Sequence, residues 1–234
     1  SSVVIEGQPL GLLYGWVALG IFNSEKDLNE YKSKVVYAVQ RNRFLDLGEV
    51  KYDTINGATS LTKMDVIGHT TPDFFGGFTN TFTYRQFSLI AHTTFSYGNE
   101  ILYSNSIRDK GVSTLSNHGR EILNRWTPQN PSTTCERLVW GSGASRDQRS
   151  VYDASYVKLR SVTLAYELPP SLVSKFRFRM ASFYLSATNL LTLTSYPGLD
   201  PEVSDDPYSI IGGGRDISSY PATREFTIGV RIGM

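Results

Sequence analysis

The sequence REFTIGVRIGM, from Arg224 to Met234, alternates between two kinds of side chain. Every even-numbered position from Phe226 to Met234 is apolar, and the positions between them are polar or glycine. Side chains of a strand point alternately to opposite faces, so the pattern predicts an amphipathic strand. Its length matches the roughly 9–11 residues with which a tilted strand crosses a bilayer.

The composition suits a β-rich protein, but it fits a secreted β-sandwich as well as a membrane barrel. Of the 234 residues, 12% are aromatic, 19% are charged, and 20 are glycine. Lys and Arg number 23 against 22 Asp and Glu, so the net charge gives no reason to expect nucleic acid as a partner. The single cysteine, Cys135, excludes an internal disulfide and a thiolate metal cluster within this chain.

No run of 18 apolar residues occurs, so the sequence predicts no transmembrane helix. This does not argue against a barrel, whose strands are only half apolar. The residues after Ser1 lack the basic and apolar regions of a signal peptide. We therefore expect either that a signal was removed or that the chain begins inside a longer one.

Four further segments show alternation: Phe74–Arg85, Phe87–Tyr103, Ala154–Leu168 and Arg179–Leu193. In the third of them the apolar positions change face between Leu159 and Val162, and we expect a β-bulge near Arg160–Ser161 to reconcile the two halves. Five strands cannot close a membrane barrel, because the smallest have eight. The sequence thus predicts an antiparallel transmembrane barrel of which this chain supplies only the C-terminal strands.

The connections between these strands run short, long, short, long, and the long loops cover 104–153 and 194–222. Bacterial barrels have short periplasmic turns and long extracellular loops, which places the C-terminus on the periplasmic side. Residues 71–234 are therefore predicted to be C-terminal barrel strands with long loops. Residues 1–70 are predicted to be an extracellular loop region preceding a strand, with only a weak helical tendency at Leu28–Gln40.

Seven stretches spread over nearly the whole chain occur in the order in which one known family carries them. They are Gly7–Phe22, Gly48–Gly68, Thr71–Phe87, Asn124–Pro131, Ser155–Pro169, Ser186–Glu202, and Tyr220–Pro221 with the terminal strand. Together they resemble the C-terminal third of a SusC/RagA-type TonB-dependent outer-membrane transporter. Each motif alone is weak, whereas seven in order are specific.

The resemblance implies a 22-stranded barrel plugged by an N-terminal domain, located in the cell outer membrane. It implies import of oligosaccharides or peptides, driven by the TonB complex, with a SusD-like surface lipoprotein capping the barrel. The plug and the TonB-contacting segment would lie upstream of this chain. The expected partners are thus the lipid membrane, the lipoprotein, the TonB complex and an oligosaccharide or peptide substrate, with no nucleic acid.

The chain departs from the family at two places. Family members carry an Asp- and Gly-rich run resembling a calcium loop. Here Asp53, Asn56 and Gly57 remain, but Ala58, Thr59 and Ser60 stand where carboxylates would be expected. These residues do not supply the regularly spaced oxygen ligands and terminal acid of an EF-hand-type loop, so we predict an ordinary turn. The last residue is Met234, where members usually end in Phe.

No catalytic residue, metal site or cofactor is predicted, and the chain is not expected to be an enzyme. His69, His92 and His118 lack the spacing of a metal site or a catalytic triad. Asp200 and Glu202, in GLDPE, are the pair that a glycoside hydrolase would need. Because Asp-Pro in a Gly- and Pro-rich stretch signals a turn first, hydrolysis is the less favoured hypothesis. A secreted β-sandwich that binds glycans is the main alternative.

Aromatic residues divide into two groups by their position. Those near strand ends are predicted to form interfacial girdles: Tyr97, Tyr103, Tyr152, Tyr156, Tyr166 and Tyr184. Those in loops are candidates for contact with a substrate or a capping partner, against the simpler hypothesis of loop packing: Tyr14, Trp16, Trp126, Trp140, Tyr196 and Tyr208. Polar residues on the predicted lumen side are candidates for contact with substrate or plug: Lys158, Arg160, Thr188 and Arg231.

Overall fold

The computed structural model describes residues 2–34, 39–40, 43–55, 58–106, 117–140, 146–206, 208, 213–217 and 219–233. It divides into two compact units. The first unit comprises Ser1–Thr71, Glu100–Tyr152 and Val203–Ser219. The second, here called the sheet unit, comprises Pro72–Asn99, Asp153–Glu202 and Tyr220–Met234.

Strands make up most of the regular structure. In chain order they are β1 (Ser2–Val3), β2 (Leu12–Trp16), β3 (Ala18–Ile21), β4 (Val39–Gln40), β5 (Arg43–Phe44), β6 (Val50–Tyr52), β7 (Thr54–Ile55), β8 (Ala58–Thr62), β9 (Met64–His69), β10 (Phe74–Tyr84), β11 (Phe87–Tyr97), β12 (Glu100–Tyr103), β13 (Val151–Asp153), β14 (Tyr156–Glu167), β15 (Met180–Thr194), β16 (Arg215–Asp216) and β17 (Glu225–Gly233). The helices of the described residues include α1 (Glu25–Lys34) and α2 (Pro170–Val173), and 3-10 turns lie at Arg120–Asn124, Gln148–Ser150 and Ser174–Phe176. No helix in the described part of the chain has the length and apolar character needed to cross a membrane.

The sheet unit is built on one five-stranded antiparallel sheet with the order β10-β11-β14-β15-β17. This confirms the predicted antiparallel strands, whose bounds differ from the prediction by one or two residues except at the end of β11. β11 ends at Tyr97 because Gly98 adopts a positive φ of 87°, and Glu100–Tyr103 pairs in a separate small sheet instead. Glycine tolerates this left-handed backbone at no steric cost, so it ends the strand.

The two faces of this sheet differ in chemistry. One row across all five strands is wholly apolar: Phe82, Leu89, Leu164, Leu185 and Ile228 lie side by side through the strand pairing. Ile228 is 83% exposed and Phe82 is 62% exposed. The β-sandwich alternative requires this apolar face to pack on a second sheet, whereas here it is exposed to the surroundings.

The bulge expected near Arg160–Ser161 is present. On the neighbouring strand β11, His92 pairs with Ser161 of β14 and Thr93 pairs with Leu159. Arg160 has no partner on β11, so it is the extra residue of the bulge. A bulge breaks the alternation locally and redirects a side chain. Lys158 and Arg160 both lie on the polar face of the sheet, where Arg160 Nε donates to Thr94 Oγ1 over 3.1 Å, and the apolar positions of β14 change from odd to even numbers across the bulge.

The neighbouring strand β15 is irregular at the same level. Asn189 has a positive φ of 50°, which asparagine tolerates better than most residues. Its side-chain Nδ2 donates to the backbone oxygen of Thr223 over 2.9 Å. This conformation explains why Asn189 interrupts the apolar positions of β15.

Two glycines of the sheet lie under aromatic rings. A Cβ on Gly229 would lie 2.2 Å from the ring of Tyr184, its cross-strand partner. A Cβ on Gly76 would lie 2.9 Å from the ring of Phe95, with which it pairs. The rings thus cover backbone that would otherwise lack a side-chain contact, and each helps to fix the register of its strand pair.

The first unit consists of short strands around small apolar clusters. Its sheets have the orders β1-β2-β9, β3-β6, β4-β5, β7-β8 and β13-β12-β16. One cluster joins Ala18, Val50 and Tyr52, and another joins Phe22, Leu28 and Leu45. The sequence did not predict these strands, because most have two to five residues and are too short to show alternation.

Helix α1 begins earlier than the sequence analysis predicted, at Glu25 rather than Leu28, and ends at Lys34. Ser24 caps it, because its Oγ accepts a hydrogen bond from Asp27 N over 3.2 Å. Glu25 and Asp27 lie in the first turn and Lys32 and Lys34 in the last, which complements the helix dipole.

A buried polar network lies within the first unit and centres on Asp147, which is fully buried. Tyr52 Oη donates to its Oδ2 over 2.7 Å, and Arg149 Nη2 donates to the same oxygen over 2.7 Å. Arg149 Nη2 also reaches Glu136 Oε2 at 3.4 Å. Burial opposes the charge of Arg149, but its hydrogen bonds with Asp147 and the nearby carboxylates raise its pKa, so the guanidinium stays ionised.

Candidate functional site

The polar face of the sheet carries an ionic cluster formed by Lys158, Arg160, Asp200 and Glu202. Lys158 Nζ donates to Asp200 Oδ1 and Oδ2 over 2.9 and 3.0 Å, and to Glu202 Oε2 over 2.5 Å. Arg160 Nη2 forms an ion pair with Glu202 Oε1. Two cations of β14 therefore meet two carboxylates from the segment after β15.

The local structure of each segment sets the spacing of the two cations and of the two carboxylates. Lys158 and Arg160 are two residues apart on β14 and both reach Glu202. On the other side, the backbone N–H of Glu202 donates to Asp200 Oδ1 over 3.0 Å, which closes a turn around Pro201. The cluster thus ties the turn at 200–202 to the wall of the sheet.

Two ions of the cluster, Lys158 and Asp200, are buried, whereas Arg160 and Glu202 are partly exposed. Lys158 is 1% exposed and Asp200 is 7% exposed. Burial alone would raise the pKa of Asp200, but hydrogen bonds from the backbone of Glu202 and from Lys158 lower it below its ordinary value. Since a buried charge is costly unless it is paired, each ion depends on its partners.

This arrangement does not suit glycoside hydrolysis. A glycosidase needs one carboxyl group that is protonated and free to reach the leaving group. Both oxygens of Asp200 accept from Lys158, and both oxygens of Glu202 accept hydrogen bonds, one of them from Tyr156 Oη over 2.6 Å. Hydrogen bonds from the backbone and from Lys158 lower the pKa of Asp200, so this carboxyl group does not hold a proton to donate, and both oxygens of Glu202 are already engaged within the chain.

The geometry distinguishes the predicted lumen contacts. Lys158 Nζ is buried and occupied within the cluster, so it presents no accessible charge. Arg231 is exposed on β17, at 6.0 Å from the ring centroid of Tyr184. The sequence analysis did not predict that the cations of β14 pair with Asp200 and Glu202. The available signal was the matching spacing, because the two cations are two residues apart and so are the two carboxylates.

The six loop aromatics fall into three groups. Trp126 and Tyr196 are buried: Trp126 Nε1 donates to Asn23 Oδ1 over 2.8 Å, and Gly198 packs against the Tyr196 ring. Tyr14 and Trp16 are half-buried, and Tyr14 Oη donates to Met64 O over 2.9 Å. The exposed pair is Trp140, at 70%, and Tyr208, at 97%.

The predicted girdle tyrosines do not share one location. Tyr97 and Tyr166 lie on the apolar face, where Tyr97 stacks on Phe74 and Tyr166 contacts Phe87. Tyr156 and Tyr184 lie on the polar face, so the girdle prediction is wrong for them. Tyr103 and Tyr152 belong to the first unit and form an edge-to-face pair.

The calcium-like stretch is only partly described. Asp53 Oδ1 accepts from Thr54 N over 2.9 Å, and Lys63 Nζ lies 3.8 Å from Asp53 Oδ2. Asn56 and Gly57 fall outside the described residues. Within the described ranges, no group of three or more His, Cys, Asp or Glu side chains is arranged to hold a metal ion.

The chain was compared with known proteins. It is 36% identical to TonB-dependent receptor P3 of Formosa agariphila and 28% identical to TonB-dependent receptor P26 of the same organism. Each match covers 99% of this chain, which spans only about a quarter (23%) of either relative. No family model matches the sequence.

Two solved structures share the fold of this chain. The chain resembles the RagAB peptide transporter with a TM-score of 0.69 and 23% identity, over 94% of this chain and 22% of the other. It resembles the RagAB peptide importer in its open-open state with a TM-score of 0.70 and 21% identity, over 100% of this chain and 24% of the other. Its relatives are receptors and transporters rather than enzymes. The resemblance to a SusC/RagA-type TonB-dependent outer-membrane transporter is thus confirmed, and the chain is a barrel portion related to the TonB-dependent receptors.

Proposed function

We propose that the chain forms the C-terminal part of the barrel wall of a TonB-dependent outer-membrane transporter. The complete protein imports oligosaccharides or peptides together with a SusD-like surface lipoprotein. Its TonB-contacting segment belongs to a part of the polypeptide outside this sequence. In the complete protein this chain contributes part of the barrel wall, part of the lumen lining and several loops, and it performs no covalent chemistry.

The observation that carries the proposal is the difference between the two faces of the five-stranded sheet. β10 has eleven residues. At about 3.3 Å per residue and a tilt near 45°, it spans roughly 25 Å, the height of the apolar band of a barrel. The exposed apolar row from Phe82 to Ile228 fits contact with lipid, while the hydroxyl and charged side chains on the opposite face fit a lumen.

The order of the connections supports a C-terminus on the periplasmic side. Strands β10 and β11 are joined by Arg85 and Gln86 alone, since Tyr84 pairs with Phe87. At the same end of the sheet, Met180 at the start of β15 pairs with Gly233. Short turns of bacterial barrels face the periplasm, so the end of β17 lies there as well.

Trp140 and Tyr208 are our candidates for contact with a substrate or with the lipoprotein. Both are exposed in the first unit, and an exposed aromatic ring offers a flat apolar surface with little entropy to lose. Trp126 and Tyr196 are weaker candidates, because their rings are already packed within the chain.

Two neighbouring substitutions in the full-length protein test which face meets lipid. Ile228→Arg places a charge on the apolar face in the middle of β17, and should destabilise the folded barrel by about 2–4 kcal/mol. Thr227→Arg places the same charge on the polar face and should leave the barrel close to wild type. Folded protein in the outer-membrane fraction is measured by its mobility on unboiled gels. Equal losses for both variants, or a fully folded protein in the soluble fraction, would contradict the proposal.

A further inference from the structure

A polar cleft of about 240 Å³ lies within the sheet unit, beside the ionic cluster. It is bounded by Asn189 and Thr192 of β15, by Leu199 and Asp200 of the following turn, and by Arg224 just before β17. Polar surface dominates this lining. Such a cleft suits a small polar group rather than an aliphatic chain.

The charges at the base of the cleft cancel within the chain. Lys158 and Arg160 each contribute one positive charge, and Asp200 and Glu202 each contribute one negative charge. Asp200 is the acidic group that lines the cleft, and both of its oxygens already accept from Lys158. The base therefore offers little attraction to a cation.

Arg224 adds a positive charge that the cluster does not neutralise. It is exposed, and within the described residues it forms no ion pair. The adjacent carboxylate, Glu225, accepts instead from Thr223 Oγ1 over 3.4 Å. A guanidinium prefers planar anions that can take two parallel hydrogen bonds, and the hydroxyl of Thr192 supplies a further donor in the cleft.

We propose that this cleft is a subsite for a carboxylate group of the transported ligand, with Arg224 as its main binding residue. The inference rests on the proposed transport function and adds the chemical class that this part of the wall recognises. A carboxylate is planar and small enough for the cleft, and it gives Arg224 an ionic partner that the described residues do not supply. Peptides and acidic sugars both carry such a group, so the test compares the two sources.

The test measures ligand binding by calorimetry with the purified full-length transporter in detergent. The probes are N-acetylated trialanine as the free acid and as its C-terminal amide, and digalacturonic acid and its methyl ester. We expect Arg224→Gln to weaken binding of a free acid about ten-fold, the value of one charge-assisted hydrogen bond, and to leave the amide and ester unchanged. The acid whose affinity falls identifies the source of the carboxylate.

Arg179→Gln is the matched control, because Arg179 is an exposed arginine just before β15 that does not line the cleft. It removes the same charge and should leave both acids bound as in the wild type. Equal weakening by Arg179→Gln and Arg224→Gln would mean that only the net charge of the protein matters, and it would overturn the inference. Wild-type protein that binds neither acid, or binds acid and neutral forms equally, would also overturn it. Membrane location and TonB dependence are measured separately by fractionation and uptake, so failure of the proposed function is distinguishable.

Discussion

Replacing Lys158 by alanine should destabilise the folded barrel by about 3–5 kcal/mol, the usual cost of breaking a buried ion pair on one side. Lys158 is 1% exposed and is the cation that contacts both Asp200 and Glu202. Without it, Asp200 keeps only its hydrogen bonds to backbone N–H groups, and it stays buried without a cation. We expect the folded band of the full-length protein on unboiled gels to disappear at a clearly lower temperature than in the wild type.

Lys175→Ala is the control for this experiment. Lys175 lies in the exposed 3-10 turn before β15, so its removal should change the unfolding temperature little. If Lys158→Ala unfolds within a few degrees of the wild type, the ionic cluster does not hold the turn at 200–202 to the sheet.

The same cluster predicts a pH dependence. The pKa of Asp200 is lowered from its ordinary value of 3.8 in the folded state. Ionisation of this carboxyl group therefore stabilises the folded state relative to the unfolded state. This stabilisation is fully present above the ordinary value, and it is lost as the pH falls through the lower pKa of the folded state. Lys158→Ala should therefore flatten the acid side of a plot of unfolding temperature against pH. An unchanged acid limb would contradict this assignment.

Replacing Asp147 by alanine should destabilise the first unit by a similar amount, about 3–5 kcal/mol. Asp147 is fully buried and accepts hydrogen bonds from Tyr52 Oη and from three N–H groups of Arg149. Its removal leaves the guanidinium of Arg149 with Glu136 at 3.4 Å. Hydrogen exchange of the full-length protein should show lost protection in β6 and in the 3-10 turn at Gln148–Ser150.

Asp46→Ala provides the matched comparison in the same unit. The Asp46 side chain is 54% exposed, and its partner Arg137 also bonds Glu49. Exposed ion pairs contribute at most about 1 kcal/mol, so exchange should stay near the wild type. Equal effects of the two substitutions would mean that the buried network around Asp147 does not stabilise the unit.

The long strands could be predicted from sequence because each has enough alternating residues to define its faces. The bulge was predictable for the same reason, since the apolar positions of β14 change parity between Leu159 and Val162. The short strands of the first unit gave no such signal, because a pair such as Val39–Gln40 has no period to detect. The start of α1 depended on Ser24, whose capping role is local and was recognisable in principle.

The ionic cluster and the cleft depend on tertiary contacts that a single sequence does not contain. Lys158 and Asp200 are 42 positions apart and meet only because the chain returns over the polar face after β15. In the sequence alone, Asp200 and Glu202 suggested a catalytic pair. In the structure these carboxylates form ion pairs with the cations of β14. Arg224 gave no signal either, since its significance depends on its position at the cleft and on the fact that no carboxylate among the described residues pairs with it.

The bulge at Arg160 also determines how β14 would respond to chemical labelling. In a scan that introduces one cysteine at a time and applies a lipid-soluble reagent, odd-numbered positions such as Val157 and Leu159 should react before the bulge. After it, even-numbered positions such as Val162 and Leu164 should react instead. A rule that simply counts every second residue across Arg160 would therefore assign one half of this strand to water when it faces lipid.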